Sequence, residues 1–341
     1  MKRQGMTDRK RIGVLMGGSS GEREVSLRSG AAVADALEAR GHEVVRLMLG
    51  ETFGPEILSS LMRARLDVAF LALHGRLGED GCIQGLLEIA QIPYTGSSVL
   101  ASALAMDKLK AKELFRLHNV PTPPYYMIEA KDVSDLEAIH GSFGFPVMVK
   151  PRGEGSSLGV AKANDPVELF RAVNAALELD DVAIVERFVQ GVEVDVAILD
   201  GRVLGAIEIA PKKGFYDYEA KYTPGMTDYY LPPRLPPARL SGVQNLALSA
   251  ARALGVTGAV RVDLLVTSGE NEYVLEVNTL PGMTATSLLP KIAAGAGYDF
   301  GALCEAIVAG AKNHLPTRRQ KAARVTELRP ARSPMLRVAS G

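Results

Sequence analysis

The sequence predicts an α/β protein mixed with α+β parts, and three observations carry that expectation. The first is an early run of strand, helix and strand, followed by a nearly all-apolar strand, the pattern of a parallel sheet covered by helices. The second is a strand over 146–151 that ends in Lys150-Pro151, then the glycine–serine stretch RGEGSSLGV and a return strand over 159–163. The third is the segment from Ala259 to Leu288, two apolar-alternating strands around Ser268-Gly269-Glu270-Asn271, a good hairpin connection. A chain of 341 residues exceeds one ordinary core, so two or three domains are expected.

Taken in order, Ile12 to Met16 reads as the first strand. Gly17-Gly18-Ser19-Ser20-Gly21-Glu22 follows, then a helical pattern from about Arg23 to Arg40, closed by Gly41. The glycines do not match G-x-G-x-x-G, which argues against a dinucleotide fold. An anion at the helix N-terminus remains compatible with the helix dipole. Residues 42–49 read as a second strand and 66–73 as a buried third. His74-Gly75-Arg76-Leu77-Gly78-Glu79-Asp80-Gly81 comes straight after it, at the strand end where open parallel sheets bind ligands. Met106 to His118 reads as one helix with three lysines, and Pro121 to Pro124 breaks the chain.

The glycine–serine stretch can fold its N–H groups over phosphates, and the absence of a Gly-Lys dipeptide excludes a P-loop. Residues 165–179 read as an amphipathic helix capped by Asp165, and 181–188 as a strand ending in Glu186-Arg187-Phe188. A long hairpin turns at Asp200-Gly201. Residues 212–239 show no period. Four tyrosines between Tyr216 and Tyr229 argue for a functional lid over disorder. Helices are expected over 240–254 and from Phe300 to about Asn313. From Thr317 onward seven basic residues and one acid read as a flexible tail.

Composition excludes several classes. Net charge is +0, so no overall basic field attracts nucleic acid. No apolar run is long enough to span a bilayer, and Ile12 to Met16 is too short for a signal-peptide core, so a cytoplasmic protein is expected. Cys82 and Cys304 alone make neither a disulfide framework nor a zinc site, and both are expected to be buried thiols.

In the 259–278 hairpin a two-residue loop at Gly269-Glu270 would place Asp263 opposite Glu276 and Arg261 opposite Asn278, all on one face. Opposed carboxylates repel. A hard cation would relieve that repulsion, because Asp, Glu and Asn supply the oxygen donors it prefers; a solvated polar face is the alternative. The remaining pieces make a nucleotide site. Lys108 and Lys150 can neutralise phosphates, the 153–159 loop can cover them, Glu186 and Phe188 sit where an adenine could lie, and Glu193 could take ribose hydroxyls.

With these motifs in place, the chain resembles the D-alanine–D-alanine ligases of the ATP-grasp superfamily over about residues 12–313. The motifs are GGSSGEREVSL, ALHGRLGEDG, IPYTGSS, AMDKLKAK, VKPRGEGSSLGV, FYDYEAKY, RVDLL and LEVNTLPGMTATSL. The resemblance implies an ATP-grasp fold of four parts. They are an N-terminal substrate-binding α/β unit (1–104), a central unit with the glycine–serine loop (105–188), a C-terminal unit with metal site and lid (189–316) and a basic tail (317–341). It implies ATP ligands at Lys108, Lys150, Ser156, Ser157, Glu186, Phe188, Glu193 and Lys221. Asp263, Glu276 and Asn278 match ligands of two Mg²⁺ ions, or Mn²⁺. Glu22 matches the group that binds the first D-alanine's ammonium, with His74 nearby, and Ser287 the group that fixes the second's carboxylate. Arg261 and the Gly282 N–H match oxyanion donors, and Glu22, Ser156 and Tyr222 match a triad that closes the lid. A cytoplasmic homodimer acting on D-alanine and ATP, with neither nucleic acid nor membrane as partner, completes the implication. Arg152-Gly153 and Leu280 depart from the family pattern without touching a matched ligand. The rival expectations are a ligase with D-lactate or another acceptor, a catalytically dead nucleotide-binding module and a dehydrogenase.

Overall fold

Three sheets carry the chain, one in each of three successive runs of sequence. The computed structural model describes residues 9–51, 54–156, 158–212 and 225–315. In the first sheet β1 (Arg11–Gly17), β2 (Glu43–Leu49) and β3 (Val68–Leu71) lie in the order β2-β1-β3, both pairings parallel. Parallel neighbours need crossovers. Helix α1 (Arg23–Ala39) joins β1 to β2, and α2 (Pro55–Ala64) joins β2 to β3. The chain leaves β1 through Gly17 at φ +93°, where a Cβ would sit 2.6 Å from the Leu49 carbonyl oxygen. Only glycine fits there.

Helices α3 (Cys82–Ala90), α4 (Val99–Met106) and α5 (Lys108–Leu117) lead out of this unit. The helix expected over 106–118 is α5, which starts two residues late because Asp107 stands between it and α4. That residue is extended (φ −80°, ψ 96°), and its carboxylate accepts the Lys110 N–H at 3.0 Å, capping α5. A short acidic side chain that can cap a fresh helix competes with continuing the old one. Cys304 is buried as expected, but Cys82 is exposed, because it opens α3 on the solvent side.

The second sheet is antiparallel, in the order β4-β7-β5-β6, from β4 (Tyr125–Glu129), β5 (Val147–Pro151), β6 (Ala161–Ala163) and β7 (Val182–Arg187). Short α6 (Leu136–His140) precedes β5. Helix α7 (Pro166–Leu177), capped by Asp165, packs Leu169 and Val173 onto Val147, Val149 and Val185.

The third sheet runs β10-β9-β8-β11-β12, from β8 (Val192–Leu199), β9 (Arg202–Pro211), β10 (Thr227–Tyr230), β11 (Ala259–Val266) and β12 (Glu272–Asn278), with α8 (Pro237–Leu254) against it. Asp200 and Gly201 turn β8 into β9 with φ of 47° and 79°, the left-handed pair a two-residue hairpin needs. Residues 227–230, expected to belong to an aperiodic lid segment, form the edge strand on β9. Helix α8 starts at Pro237, ahead of the expected 240, because proline is tolerated in a first turn. The middle of the expected lid, 213–224, lies outside the described residues.

Helices α9 (Leu288–Gly295) and α10 (Phe300–Ala309) end the described fold. The last helix was expected to reach Asn313, but Lys312 instead pairs with Tyr94 as an isolated bridge. No single described helix is long and apolar enough to cross a membrane; α9 and α10 meet at 100°. They bury Leu289, Ile292 and Ile307 in a core shared with Val14, Leu37 and Phe70 of the first unit and Ile207 and Ile209 of the third sheet. Helix α5 likewise packs Ala111 and Phe115 against Val243 and Val262. Both cores therefore tie together segments far apart in sequence.

Candidate active site

The third sheet's last hairpin departs twice from the expected geometry, and the two departures cancel. Thr267 and Asn271 close a three-residue loop, not a two-residue one. By itself that would shift the register by one residue and turn the polar face inward. A β-bulge at Leu275 shifts it back, because Leu264 faces Val274 while Asp263 faces Glu276 and Arg261 faces Asn278. The bulge lets Val274 and Val277 both enter the core.

On that face Arg261 donates to Asp263 at two points, Nε to Oδ1 at 2.7 Å and Nη2 to Oδ2 at 2.8 Å. Its Nε also lies 2.9 Å from Asp195 Oδ2 on β8. Burial pulls the guanidinium's pKa down, but Asp263 and Asp195 raise it well above the usual value. Asn278 Nδ2 donates to Asp263 Oδ2 at 3.1 Å. The repulsion expected between the two carboxylates is thus offset in the protein itself by Arg261. Among the described residues no three His, Cys, Asp or Glu side chains converge as a metal cluster. Two opposed carboxylates beside an amide are still the all-oxygen set that suits a hard cation, so Asp263, Glu276 and Asn278 fit one.

Lys150 is the penultimate residue of β5, and its Nζ lies 2.9 Å from Glu186 Oε2 on neighbouring β7. Glu186 Oε1 lies 2.9 Å from Nζ of Lys112, which is 1% exposed. Burial pushes the Glu186 carboxyl up, and the two ammonium groups more than reverse this, holding it at about 2. Lys150 is lowered by burial, but Glu186, with Glu276 and Glu193, raises it overall. At 2.9 Å the buried Lys112 ammonium neutralises Oε1 of Glu186 from behind the sheet. Phe188 follows β7, with Lys162 Nζ 4.0 Å from its ring centre.

The loop between β5 and β6 is tied down on both sides. Arg152 pairs with Asp107, Nε to Oδ1 at 2.9 Å, and the Gly153 N–H donates to Asp180 at 2.7 Å. The Lys108 ammonium donates to the Glu154 carbonyl. Ser156, at φ +49°, donates its hydroxyl to Glu22 Oε1. Gly155 is close enough that a Cβ would meet Glu22 Oε2 at 2.8 Å.

Glu22 begins α1 without capping it, so its carboxylate is turned to the loop. His74 is buried beside it, and burial lowers its pKa against the pull of Glu22. Burial, then Glu22, pushes Glu79 up to about 8, although the Gly75 N–H donates to it at 2.7 Å. The Leu280 backbone, two residues before Gly282, is close enough to act on the pKa of both His74 and Glu79. Ser287 heads α9, its hydroxyl accepting the Thr284 N–H at 3.0 Å and packing against Gly282. An anion is favoured at such a helix start.

The fold therefore brings Glu22 to Ser156, His74 to Glu22, Arg261 to Asp263 and Lys150 to Glu186. Ser157, Lys221 and Tyr222 lie outside the described residues. Sequence reasoning gave no role to Lys112, Asp195 or the Arg152–Asp107 pair, and named Glu79 only as part of the 74–81 segment. Asp195 has a signal, a lone acid amid apolar Val194, Val196 and Ala197. Lys112 has none, because it shares its helix with Lys108 and Lys110.

Comparison with known proteins adds independent findings. Residues 54–97 match the family profile described as D-ala D-ala ligase N-terminus, and 114–309 the D-ala D-ala ligase C-terminus. The D-alanine–D-alanine ligase of Anaeromyxobacter dehalogenans (strain 2CP-1 / ATCC BAA-258) is 53% identical over 302 residues, 89% of this chain and 97% of the relative. That of Geotalea uraniireducens (strain Rf4) is 52% identical over 302 residues, 89% of this chain and 96% of the relative. The crystal structure of the Bacillus anthracis D-alanine–D-alanine ligase complexed with ATP superposes with a TM-score of 0.76 at 32% identity, covering 93% of this chain and 99% of that one. The VanG D-Ala:D-Ser ligase from Enterococcus faecalis has a TM-score of 0.76 at 30% identity, covering 88% and 99%.

Proposed function

The chain belongs to the D-alanine–D-alanine ligase family, and from that premise we propose that it uses ATP to join two D-alanines into D-alanyl-D-alanine for peptidoglycan precursors. The observation that carries the reading is the contact of Ser156 with Glu22. It joins a glycine–serine loop, flanked by Lys108 and Lys150, to a carboxylate suited to an ammonium group.

A carboxylate is a poor acyl donor. In the first step an oxygen of the first D-alanine attacks the γ-phosphorus of ATP, and ADP leaves. Lys108, Lys150 and the loop N–H groups offset the phosphate charge, Glu193 takes the ribose hydroxyls, and Glu186 and Phe188 receive the adenine. Asp263, Glu276 and Asn278 would hold two Mg²⁺ ions, or Mn²⁺, which supply Lewis-acid neutralisation of the phosphates when bound. Glu22 holds the first D-alanine's ammonium, with His74 alongside. In the second step the second D-alanine, its carboxylate at Ser287, gives its ammonium proton to solvent, its nitrogen attacks the acyl phosphate, and the second proton goes to the departing phosphate. Inorganic phosphate then leaves. Arg261 and the Gly282 N–H stabilise the tetrahedral oxyanion. Water would destroy the intermediate, so a lid containing Lys221 and Tyr222, and reached through Ser156 and Glu22, is assigned to exclude it. Ser157 joins the loop's phosphate contacts.

The division 1–104, 105–188, 189–316 and 317–341 belongs to the same proposal, as do a homodimeric state, a cytoplasmic location and the lack of nucleic-acid or membrane partners. The acceptor is the point of choice, because a D-Ala:D-Ser ligase shares the fold equally well. The test is a competition at pH 7 with ATP, Mg²⁺ and equal D-alanine, D-lactate and D-serine, the products separated by mass. D-alanyl-D-alanine is expected to dominate; a dominant ester or mixed dipeptide would overturn the acceptor assignment.

A further inference from the structure

Lys112, Glu186 and Lys150 form a row of three charges that crosses from α5 to β7 to β5. Their side chains are 1%, 2% and 14% exposed, so only Lys150 opens toward the site. The Lys112 ammonium lies 2.9 Å from Glu186 Oε1 and donates to Thr122 Oγ1 at 2.6 Å. The ring of Tyr125 lies 5.4 Å away. Nothing in this setting lets Lys112 touch a substrate. Helix α5 meanwhile packs into the core of the third sheet, so Lys112 is held from the far side of the nucleotide cleft.

The charge count gives this arrangement a purpose. A Lys150–Glu186 pair alone would be neutral, and Glu276 and Glu193 also act on Lys150. Three carboxylates would then compete with a polyphosphate for one ammonium. With Lys112 on its other oxygen, Glu186 is shared, and the row keeps one net positive charge facing the site. We propose that Lys112 is a positioning residue for the nucleotide. It takes up one oxygen of Glu186 so that the Lys150 charge stays available to the phosphates. The inference rests on the ATP reading above and adds to it the residue that keeps the phosphate subsite cationic.

A purely structural Lys112 would, on removal, weaken every part of the nucleotide's binding alike. A charge-balancing Lys112 affects only the phosphates. The experiment is calorimetric titration of ATP, ADP and adenosine into wild type and Lys112→Met, which keeps the length of the stem and drops the charge. Lys112→Met is expected to bind ATP and ADP roughly tenfold or more weakly, a change on the scale of one lost close charge interaction, while adenosine stays within about twofold. Equal loss for adenosine and ATP, or no loss for either, overturns the proposal. Wild type that binds no ATP would overturn the functional reading itself and this inference with it. Lys112→Met/Glu186→Gln removes both buried charges and again leaves one net positive charge at Lys150. Its ATP-to-adenosine affinity ratio is expected to stay near wild type even if the single variant does not fold, and a tenfold fall in that ratio overturns the proposal.

Discussion

Arg261 grips Asp263 two residues along the same strand, at 2.7 and 2.8 Å, and reaches Asp195 on the next strand at 2.9 Å. One guanidinium thus balances two carboxylates that are 1% and 4% exposed. Replacing it leaves both without that counter-charge. Arg261→Met is expected to lose about 3–5 kcal/mol of stability, the usual cost of breaking a buried ion pair, together with the oxyanion donor. Urea unfolding checks the first effect and dipeptide formation the second; a variant as stable as wild type would contradict the pairing.

Glu276 is a different case. Its cross-strand neighbour Asp263 already has Arg261, so Glu276→Gln should change stability by less than about 1 kcal/mol, within the range of surface-like substitutions. As an assigned cation ligand it should lose about a hundredfold or more in turnover, the scale of several kcal/mol of charge stabilisation. Wild-type turnover at the same Mg²⁺ concentration would rule out the metal assignment.

Glu79 makes stability depend on pH. Burial, then Glu22, raises its carboxyl from 4.5 to about 8 in the folded protein. Between those values the folded state keeps a proton that the unfolded chain has lost. The stability it contributes is therefore complete below pH 4.5 and is lost as pH rises through 8, by at most about 1.4 kcal/mol per pH unit. Glu79→Gln removes the titration. Urea melts at pH 5, 6, 7 and 8 should show wild type losing stability relative to the variant as pH rises, and parallel curves would contradict the assignment.

The segment after α10 has a defined anchor. Glu88 accepts the His314 N–H at 2.7 Å and the Leu315 N–H at 3.3 Å, and Lys312 and Tyr94 exchange backbone bonds at 3.3 and 3.1 Å. Cutting after Pro316 keeps all of these and should leave melting temperature and activity near normal, as expected for the tail, which lies outside the described residues. Cutting after Ala311 leaves Glu88, 4% exposed, short of donors. It should cost about 3–6 kcal/mol, since each of the two lost donors to a buried charged group is worth roughly 1.5–3 kcal/mol. Equal melting temperatures for the two truncations would refute the anchor.

Patterns that repeat along the chain were legible without the fold. Alternation in 260–266 identified β11, the apolar run before His74 identified β3, and Asp200-Gly201 identified the β8–β9 turn. Local competition blurred the rest. Asp107 ends one helix by capping another, and Thr227 to Tyr230 becomes a strand only because β9 offers an unpaired edge.

By itself the sequence determined the fold class, the family and most of the residues that meet in the site, because motif spacing, period and side-chain chemistry are carried by neighbours along the chain. The polar face of Asp263 and Glu276 was foreseen from a two-residue loop, yet the register rests on a longer loop and a compensating bulge at Leu275. Only the tertiary structure decided charge and partnership. Lys112 looks like any helix lysine until α5 packs behind β7 and removes it from water. Glu79 looks like a loop carboxylate until Leu280 and Glu22 close around it. Desolvation and pairing depend on what lies across space, and elements far apart in sequence supply both.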